Sequence, residues 1–260
     1  MSVKQRTLKS EFSLNGKGLH TGKQVAATFK PAEENFGYRI RRMDLEGAPE
    51  IPALAEYVKL MDRASCLEKD GVCVFTMEHA MAALYGSGID NCLIELSGEE
   101  FPILDGSAKY YVEEIEKVGF EEQKADRRYF TVKEQMEFCS EDGQTKITLL
   151  PDTDYNINLV VAYDSPYLQM QYATYSEQVT DFAKEIAPCR TFVFLRELEM
   201  LLQHNLIKGG DLDNAIVIVD REISQEEVNR LAKLFNHDSI EVKQGILNNL
   251  DLYFDNEPAR

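Results

Sequence analysis

Alternation of apolar and polar positions predicts β structure at the start of the chain and again in its second half. The segment "TLKSEFSLNGKGLHTGKQVAATFKP" alternates at both ends of a glycine-rich centre, which predicts a hairpin. "NCLIELSG" at residues 91–98 predicts a compact buried strand. Later, "YFTVKEQMEF", "TKITLLP" and "YNINLVVAYD" repeat the strand pattern. The chain therefore contains two groups of predicted strands.

Helical spacing of apolar residues predicts two helices in the first half. In "TMEHAMAALYG" (76–86), Thr76 stands at the N-cap position, and the residues after Glu78 and His79 supply the apolar stripe. "DGSAKYYVEEIEKVGF" (105–120) predicts a second helix, with Asp105 or Ser107 as its cap. The charged run "EEQKADRR" (121–128) that follows is typical of a linker.

The second half repeats this alternation between strands and helices. "TFVFLRELEMLLQHN" (191–205) predicts an apolar helix, and the segment after Gly209 and Gly210 predicts a strand at 215–219. In "SQEEVNRLAKLF", Ser224 and Glu227 have the spacing of a capping box at the start of another helix.

A weak internal match favours two similar domains. Thr28 and Pro31 recur at the same offset as Thr148 and Pro151, on either side of the charged run. Four-residue matches also arise by chance, so this pattern leaves duplication open. We predict an α+β fold with a first domain at 1–125 and a second, similar domain at 126–260.

Composition excludes several classes of partner. The formal net charge of −17 would repel nucleic acid and an anionic membrane surface. The five cysteines form no C-x-x-C pair and suit a reducing compartment better than a disulfide framework. The first residues lack the apolar core of a signal peptide, and the sequence has no apolar run of membrane-spanning length. We expect a cytoplasmic protein without stable membrane insertion.

The adjacent Glu78 and His79 are the main candidates for chemistry. A hydrolytic zinc site needs a neutral imidazole on the metal and a carboxylate that takes a proton from water. An ordinary interpretation stands beside this one: Glu78 complements the helix dipole, and His79 is a partly exposed or satisfied core residue. The pair does not form an H-E-x-x-H motif, so further ligands have to come from elsewhere.

The remaining candidates have equally ordinary alternatives. His20 lies in the glycine-flanked "GLHTGK", where it either lines a site or is a simple hairpin residue. His204 and His237 both stand near predicted helix ends, and Asp238 beside His237 is a poor partner because adjacent loop side chains rarely bind one metal together. In "CRTF", Thr191 reads as a helix N-cap and Phe192 as core.

Six motifs occur in one order over nearly the whole chain, and together they resemble a known family. They are "GLHTGK", "TMEHAMAAL", "GIDNCLIEL", "PILDGSA", "CRTF" and "GGDLDNAIV". This set is similar to the UDP-3-O-acyl-N-acetylglucosamine deacetylases, the zinc amidohydrolases of lipid A synthesis. The resemblance implies two related domains, each a sheet layered on helices, with the active site between them. It also implies removal of the acetyl group from UDP-3-O-acyl-N-acetylglucosamine.

The resemblance also assigns roles by position. Glu78 resembles the family's general base and His79 a ligand of Zn²⁺, while Thr191 resembles the hydroxyl that stabilises the oxyanion. His20, Phe192 and Gly210 resemble residues that line the substrate cleft or the passage for the acyl chain.

One departure from the family concerns the end of the chain. The family follows F-x-x-E…-R, here "FDNEPAR", with an H-K-x-x-D helix that carries two more zinc ligands, and this sequence stops at Arg260. We expect the front part of a longer deacetylase, such as one fused to an acyl-carrier-protein dehydratase, or a truncated product. By itself such a chain is expected to be metal-poor, inactive or only a binding module for the acyl-UDP-sugar. Apolar surface is expected to be exposed in the second half.

Overall fold

The computed structural model describes residues 3–61, 64–163, 165, 168–204, 207–243, 245–247 and 252–260. Helices and strands are mixed along the chain, and the predicted α+β class is confirmed. The strands are β1 (Lys4–Leu8), β2 (Phe12–Lys17), β3 (Gln24–Pro31), β4 (Tyr38–Arg42), β5 (Glu50–Pro52), β6 (Val58–Met61), β7 (Ala64–Lys69), β8 (Val72–Phe75), β9 (Cys92–Leu96), β10 (Phe120–Asp126), β11 (Met136–Cys139), β12 (Lys146–Leu149), β13 (Asn156–Val161), β14 (Gln171–Ser176), β15 (Phe192–Phe194) and β16 (Ile216–Ile218). The helices are α1 (Glu78–Gly86), α2 (Lys109–Val118), α3 (Phe182–Glu185), α4 (Leu195–Gln203) and α5 (Gln225–Leu234), with single 3-10 turns at Ala55–Tyr57 and Glu257–Ala259.

A five-stranded sheet in the order β2-β3-β9-β4-β5 forms the framework of the first half, and only its β9–β4 pair is parallel. One buried apolar residue from each strand lies in a single row across this sheet. The row is Phe12, Phe29, Ile94, Ile40 and Ile51. Because side chains alternate between the two faces of a strand, this register places the whole row on one face.

Helices α1 and α2 pack on each other, and α2 also contacts β2. Tyr111 of α2 meets Phe29 edge-on, with ring centroids 5.7 Å apart. Glu78 and His79 occupy the first turn of α1, as predicted. The prediction of Thr76 as N-cap was wrong. Thr76 has a φ of 56°, and its hydroxyl donates to Glu100 instead of to the helix.

The charged run at 121–128 is not a simple linker, because most of it lies in β10, which pairs antiparallel with β1. Backbone hydrogen bonds form this pair, and many charged side chains of β10 remain exposed. Sequence polarity therefore reflected an exposed edge strand and not the absence of structure.

Two hairpins open the second half, β11–β12 and β13–β14. In β11–β12 the apolar residues of both strands share one face, because Met136 pairs with Leu149 and Phe138 pairs with Ile147. All four are exposed to solvent. The exposed apolar surface expected in the second half is present on this hairpin.

The predicted helix at 191–205 begins only at Leu195, because residues 192–194 form β15. This strand pairs in parallel with β16, where the sequence predicted a strand. Aromatic and β-branched residues favour the extended conformation once a partner strand is present. The cap of α5 is confirmed, since Ser224 Oγ accepts a hydrogen bond from the Glu227 N–H at 3.2 Å.

One apolar cluster lies between the five-stranded sheet and α1–α2 and also includes Ala187 of the second half. Another lies around α4, α5 and β16. The predicted domain boundary near residue 125 stays a prediction. Within the described ranges, every helix falls short of the length and apolar character that crossing a membrane requires.

Candidate active site

The Glu78–His79 pair stands at the beginning of α1, with Glu78 exposed and His79 half-buried. Burial lowers the pKa of His79, and the carboxylates of Glu78 and Asp105 oppose that effect. A lowered pKa keeps the imidazole neutral near pH 7 and leaves one ring nitrogen with a free lone pair. The pair therefore combines an accessible carboxylate with an imidazole in the form that binds metals.

The loop after Ile103 brings Asp105 towards this pair. Asp105 Oδ1 accepts hydrogen bonds from Ser107 N at 3.1 Å and Ser107 Oγ at 2.7 Å, and Ser107 Oγ in turn accepts from Lys109 N at 3.1 Å. These bonds fix the turn that leads into α2. The N-cap residue of α2 is Ala108, without a side-chain cap bond, so the prediction of Asp105 or Ser107 at that position was wrong. Ser107 Oγ nevertheless accepts from the first N–H of the helix, that of Lys109.

Thr191 lies against the same turn. Its backbone N–H donates to Gly106 O at 2.7 Å, and its carbonyl accepts from Ile216 N at 2.9 Å. Gly106 has a φ of 80°, and a Cβ built there would come within 3.2 Å of Thr191 Cγ2. Thr191 is therefore brought beside the loop that carries Asp105, which interacts electrostatically with His79. The interpretation of Thr191 as a helix N-cap was wrong, because a strand follows it.

The loops that carry His20 and Gly210 also meet. Gly209 N donates to Leu19 O at 3.0 Å, and Lys208 N approaches His20 O at 3.4 Å. A Cβ at Gly209 would lie 2.0 Å from Gly18 O, so the two loops are in direct backbone contact. Gly210 N donates within its own turn to Ile207 O at 3.1 Å.

Phe192 follows Thr191 and faces an aromatic cluster. Its ring meets the Tyr163 and Phe194 rings edge-on at centroid distances of 5.4 and 5.8 Å. Phe192 is only partly buried and packs against Ile216 and Ile218. The structure thus places a partly open apolar surface directly beside Thr191.

Sequence analysis did not identify two residues that connect these parts. Asn214 donates through Nδ2 to Gly209 O at 2.9 Å, and its own carbonyl lies against Gly106. Glu100 is buried and accepts hydrogen bonds from the His20 loop and from Thr76. No local pattern singles out either residue, because their partners are far away in the sequence.

A separate group of metal-binding side chains consists of Asp211, Asp213 and His237, whose donor atoms lie within 4.8 Å of one another. His237 Nε2 is 3.4 Å from Asp211 Oδ1. In the part of the chain that the structure describes, this is the one group of three such side chains, and it includes neither His79 nor Asp238. His204 is exposed at the end of α4, as expected.

A family model and several known proteins that are similar to this chain all indicate the same family. Residues 5–240 match the family model described as UDP-3-O-acyl N-acetylglycosamine deacetylase. The chain is 51% identical to a protein of Bacteroides thetaiotaomicron named bifunctional enzyme LpxC/FabZ, over 99% of this chain and 56% of that protein. A protein of Porphyromonas gingivalis with the same name is 49% identical over the same shares.

A third relative has only the deacetylase name. It is the UDP-3-O-acyl-N-acetylglucosamine deacetylase of Marinobacter nauticus, which is 41% identical over 86% of this chain and 74% of its own length. The chain thus spans about half the length of the bifunctional relatives, 56% in both cases above. The family model covers almost all of the elements that carry the candidate site. This chain belongs to the UDP-3-O-acyl N-acetylglycosamine deacetylase family.

Proposed function

We propose that this chain carries the deacetylase site of a lipid A biosynthetic enzyme, which hydrolyses the acetamide of UDP-3-O-acyl-N-acetylglucosamine. The observation that carries the proposal is the exposed Glu78 beside the half-buried His79 in the first turn of α1, in a chain of this family. The names of the relatives support the substrate class. The relatives named LpxC/FabZ also support the predicted fusion to an acyl-carrier-protein dehydratase, which remains a prediction.

The donor chemistry at His79 fits a zinc ion. Zinc binds neutral imidazole, and burial favours that form of His79. A catalytic zinc takes about three protein ligands. We assign His79 as one of them, and among the described residues His79 belongs to no group of three candidate ligands. When bound, zinc would polarise the acetamide carbonyl as a Lewis acid.

The residues of this chain supply the proton transfers and the orientation of the substrate. Glu78 takes a proton from the attacking water as its oxygen bonds to the carbonyl carbon. Thr191 donates a hydrogen bond to the carbonyl oxygen as that oxygen gains negative charge. When the C–N bond breaks, Glu78 returns the proton to the leaving amine, and acetate and the glucosamine product result. His20, Phe192 and Gly210 line the substrate cleft, where Phe192 offers its apolar face to the acyl chain.

Deacetylation of UDP-3-O-acyl-N-acetylglucosamine by a zinc-loaded polypeptide that joins this chain to the expected H-K-x-x-D segment tests this proposal. Glu78→Gln should lower kcat by about 10²- to 10⁴-fold because the general base is lost. Thr191→Val should cost roughly 10²-fold in kcat, as for the removal of one oxyanion donor. His79→Gln should lower both bound zinc and turnover.

His204→Gln is the matched histidine control, because His204 is exposed at a helix end. It should leave both bound zinc and turnover unchanged. Full activity in Glu78→Gln and His79→Gln would refute the proposal. Substrate binding without any turnover in the unsubstituted protein would instead indicate a non-catalytic module for the acyl-UDP-sugar.

A further inference from the structure

Glu100 is a buried carboxylate, 2% exposed, at the centre of the parts that carry the candidate site. Its Oε1 accepts from His20 N at 2.8 Å and from Thr76 Oγ1 at 3.0 Å. Its Oε2 accepts from Thr21 N at 2.9 Å and from Thr21 Oγ1 at 2.8 Å. Four donors from two separate segments therefore satisfy one buried carboxylate, as a buried polar group requires.

The first segment is the loop that carries His20. Both backbone N–H groups that donate to Glu100 belong to this loop, so the carboxylate fixes its backbone and not only one side chain. A Cβ at Gly18 would lie 2.2 Å from Glu100 Oε2, which explains why a glycine stands there. The same loop carries the contacts to Gly209, so its position also affects the segment before Gly210.

The second segment leads into α1. Thr76 has a φ of 56°, a conformation that is uncommon for a β-branched residue, and it stands two residues before Glu78. Its hydroxyl bond to Glu100 stabilises this conformation in place of a helix cap. Glu100 itself is held next to this point, because Phe75 N donates to Glu99 O and Phe101 N donates to Phe75 O.

We infer that Glu100 is a positioning residue, which fixes the substrate-lining His20 loop against the start of α1 and thereby sets the place of Glu78 and His79 relative to the substrate. This inference rests on the proposed function, since it assigns Glu100 no contact with substrate or metal. It acts through Thr76 on the catalytic pair and through Thr21 and the His20 backbone on the cleft.

The contacts of Glu100 with Thr76 and with Thr21 predict different effects on kcat and KM in the same zinc-loaded polypeptide. Thr76→Val keeps the β-branched shape but removes one donor, and it should lower kcat about tenfold with KM within about twofold. Thr21→Val removes the other hydroxyl, and it should raise KM about fivefold with kcat within about twofold. Displacements of about an ångström change rates by up to roughly 10²-fold, so effects of this size are reasonable.

Glu100→Gln should change both constants, because an amide presents one N–H₂ group towards donors that need acceptors. Glu100→Asp retains both oxygens and should restore part of the loss. Glu99→Gln is the matched control, since the adjacent Glu99 pairs at the surface with Lys23 at 3.0 Å. It should leave kcat and KM unchanged.

Backbone amide NMR of the 260-residue chain provides a measurement that does not need activity. Glu100→Gln should shift the amide resonances of His20 and Thr21 and also those of Glu78 and His79, whereas Glu99→Gln should shift neither pair. The inference is overturned if the α1 amides stay in place, or if lost activity only follows the unfolded fraction and Glu100→Asp restores none. If the polypeptide that includes the H-K-x-x-D segment has no deacetylase activity, the proposed function fails, and the amide shifts alone decide the role of Glu100.

Discussion

Gly106 lies where the two halves of the chain come into close backbone contact near the candidate site. It has a φ of 80°, and a Cβ at this position would lie 2.2 Å from the Asn214 carbonyl oxygen. The same Cβ would press on Thr191, whose N–H donates to Gly106 O. Only glycine has both the backbone freedom and the absence of a side chain that this contact needs.

Gly106→Ala should therefore destabilise the chain by more than the 1 to 3 kcal/mol or so that a strained backbone conformation costs. Gly37→Ala is the matched control, because Gly37 has a φ of 69° but no atom within 4 Å of the point that a Cβ would occupy. The difference between the unfolding free energies of the two variants, measured in urea, gives the part of the loss that comes from the steric clash. Equal losses in the two variants would show that the Asn214 contact does not matter.

Residue identity alone gave the correct place of Glu78 and His79 in α1, because helical periodicity is a local property. The same reasoning assigned Thr76 to the wrong partner. A threonine before a helix usually caps it, but here a buried carboxylate 24 positions later accepts its hydroxyl. The local sequence does not indicate that Glu100 binds the Thr76 hydroxyl in place of the helix.

Among the secondary-structure elements, β9 is connected to both of its neighbours by ion pairs on the polar face of the sheet. Glu95 accepts from Arg41 at 3.1 Å and pairs with Lys30 at 2.7 Å, so it connects β9 with β4 and β3. The bond to Lys30 is the largest cause of a lowered pKa for Glu95, and the charge of Arg41 adds to it. These ion pairs stabilise the strand register that places the apolar row on one face of the sheet.

The lowered pKa of Glu95 gives a pH dependence of stability. The carboxylate binds a proton more weakly in the folded chain than in the unfolded one. Its stabilisation is therefore present above the ordinary pKa of about 4.5 and is lost as the pH falls through the lower folded value. Glu95→Gln should remove about 1 kcal/mol of unfolding free energy at about pH 7 and reduce the loss between about pH 5 and pH 3.

Urea midpoints measured at several pH values test this prediction. Glu11→Gln is the control, since the more exposed Glu11 only approaches Lys30 at 3.8 Å. It should leave the acid dependence as it is. A Glu95→Gln variant with the full acid dependence of the unsubstituted chain would show that other carboxylates cause it.

Strand predictions failed where polarity or helical spacing masked an extended segment. β10 is rich in charge, yet it pairs with β1, which lies far earlier in the chain. Residues 192–194 read as the first turn of a helix, yet they pair with β16. In both cases a distant backbone supplies the hydrogen bonds, and a local pattern cannot indicate such a partner.

In the molecule as a whole, the C-terminal segment binds Arg190, which precedes Thr191 and the strand β15. Glu257 is fully buried and accepts from the backbone N of Arg190 at 3.0 Å and from its Nε at 2.9 Å. Its other oxygen accepts from Tyr253 N at 2.8 Å. This pair fixes the residue immediately before Thr191, so the end of the described chain supports the candidate site.

Glu257→Gln should cost about 3 kcal/mol of unfolding free energy, because it removes the charge of one member of a buried, hydrogen-bonded ion pair. Glu227→Gln is the matched control. Glu227 pairs with Arg221 near the surface, so its loss should cost less than about 1 kcal/mol. Calorimetry or urea unfolding compares the two, and similar losses would contradict a special role for the buried pair.

Local sequence patterns predicted the α+β class, most strands and helices, and the first-turn position of Glu78 and His79. These features follow from side-chain periodicity and capping, which act over a few residues. The ordered motifs also indicated the family that the comparisons then established.

How these parts combine became known only from the contacts between distant segments. It brought Thr191 to Gly106, the His20 loop to Gly209, and both Thr76 and that loop to Glu100. Each of these contacts joins backbone or buried polar groups across long stretches of chain. Such groups must find partners once water is removed, and their choice depends on which segments the packed core brings together.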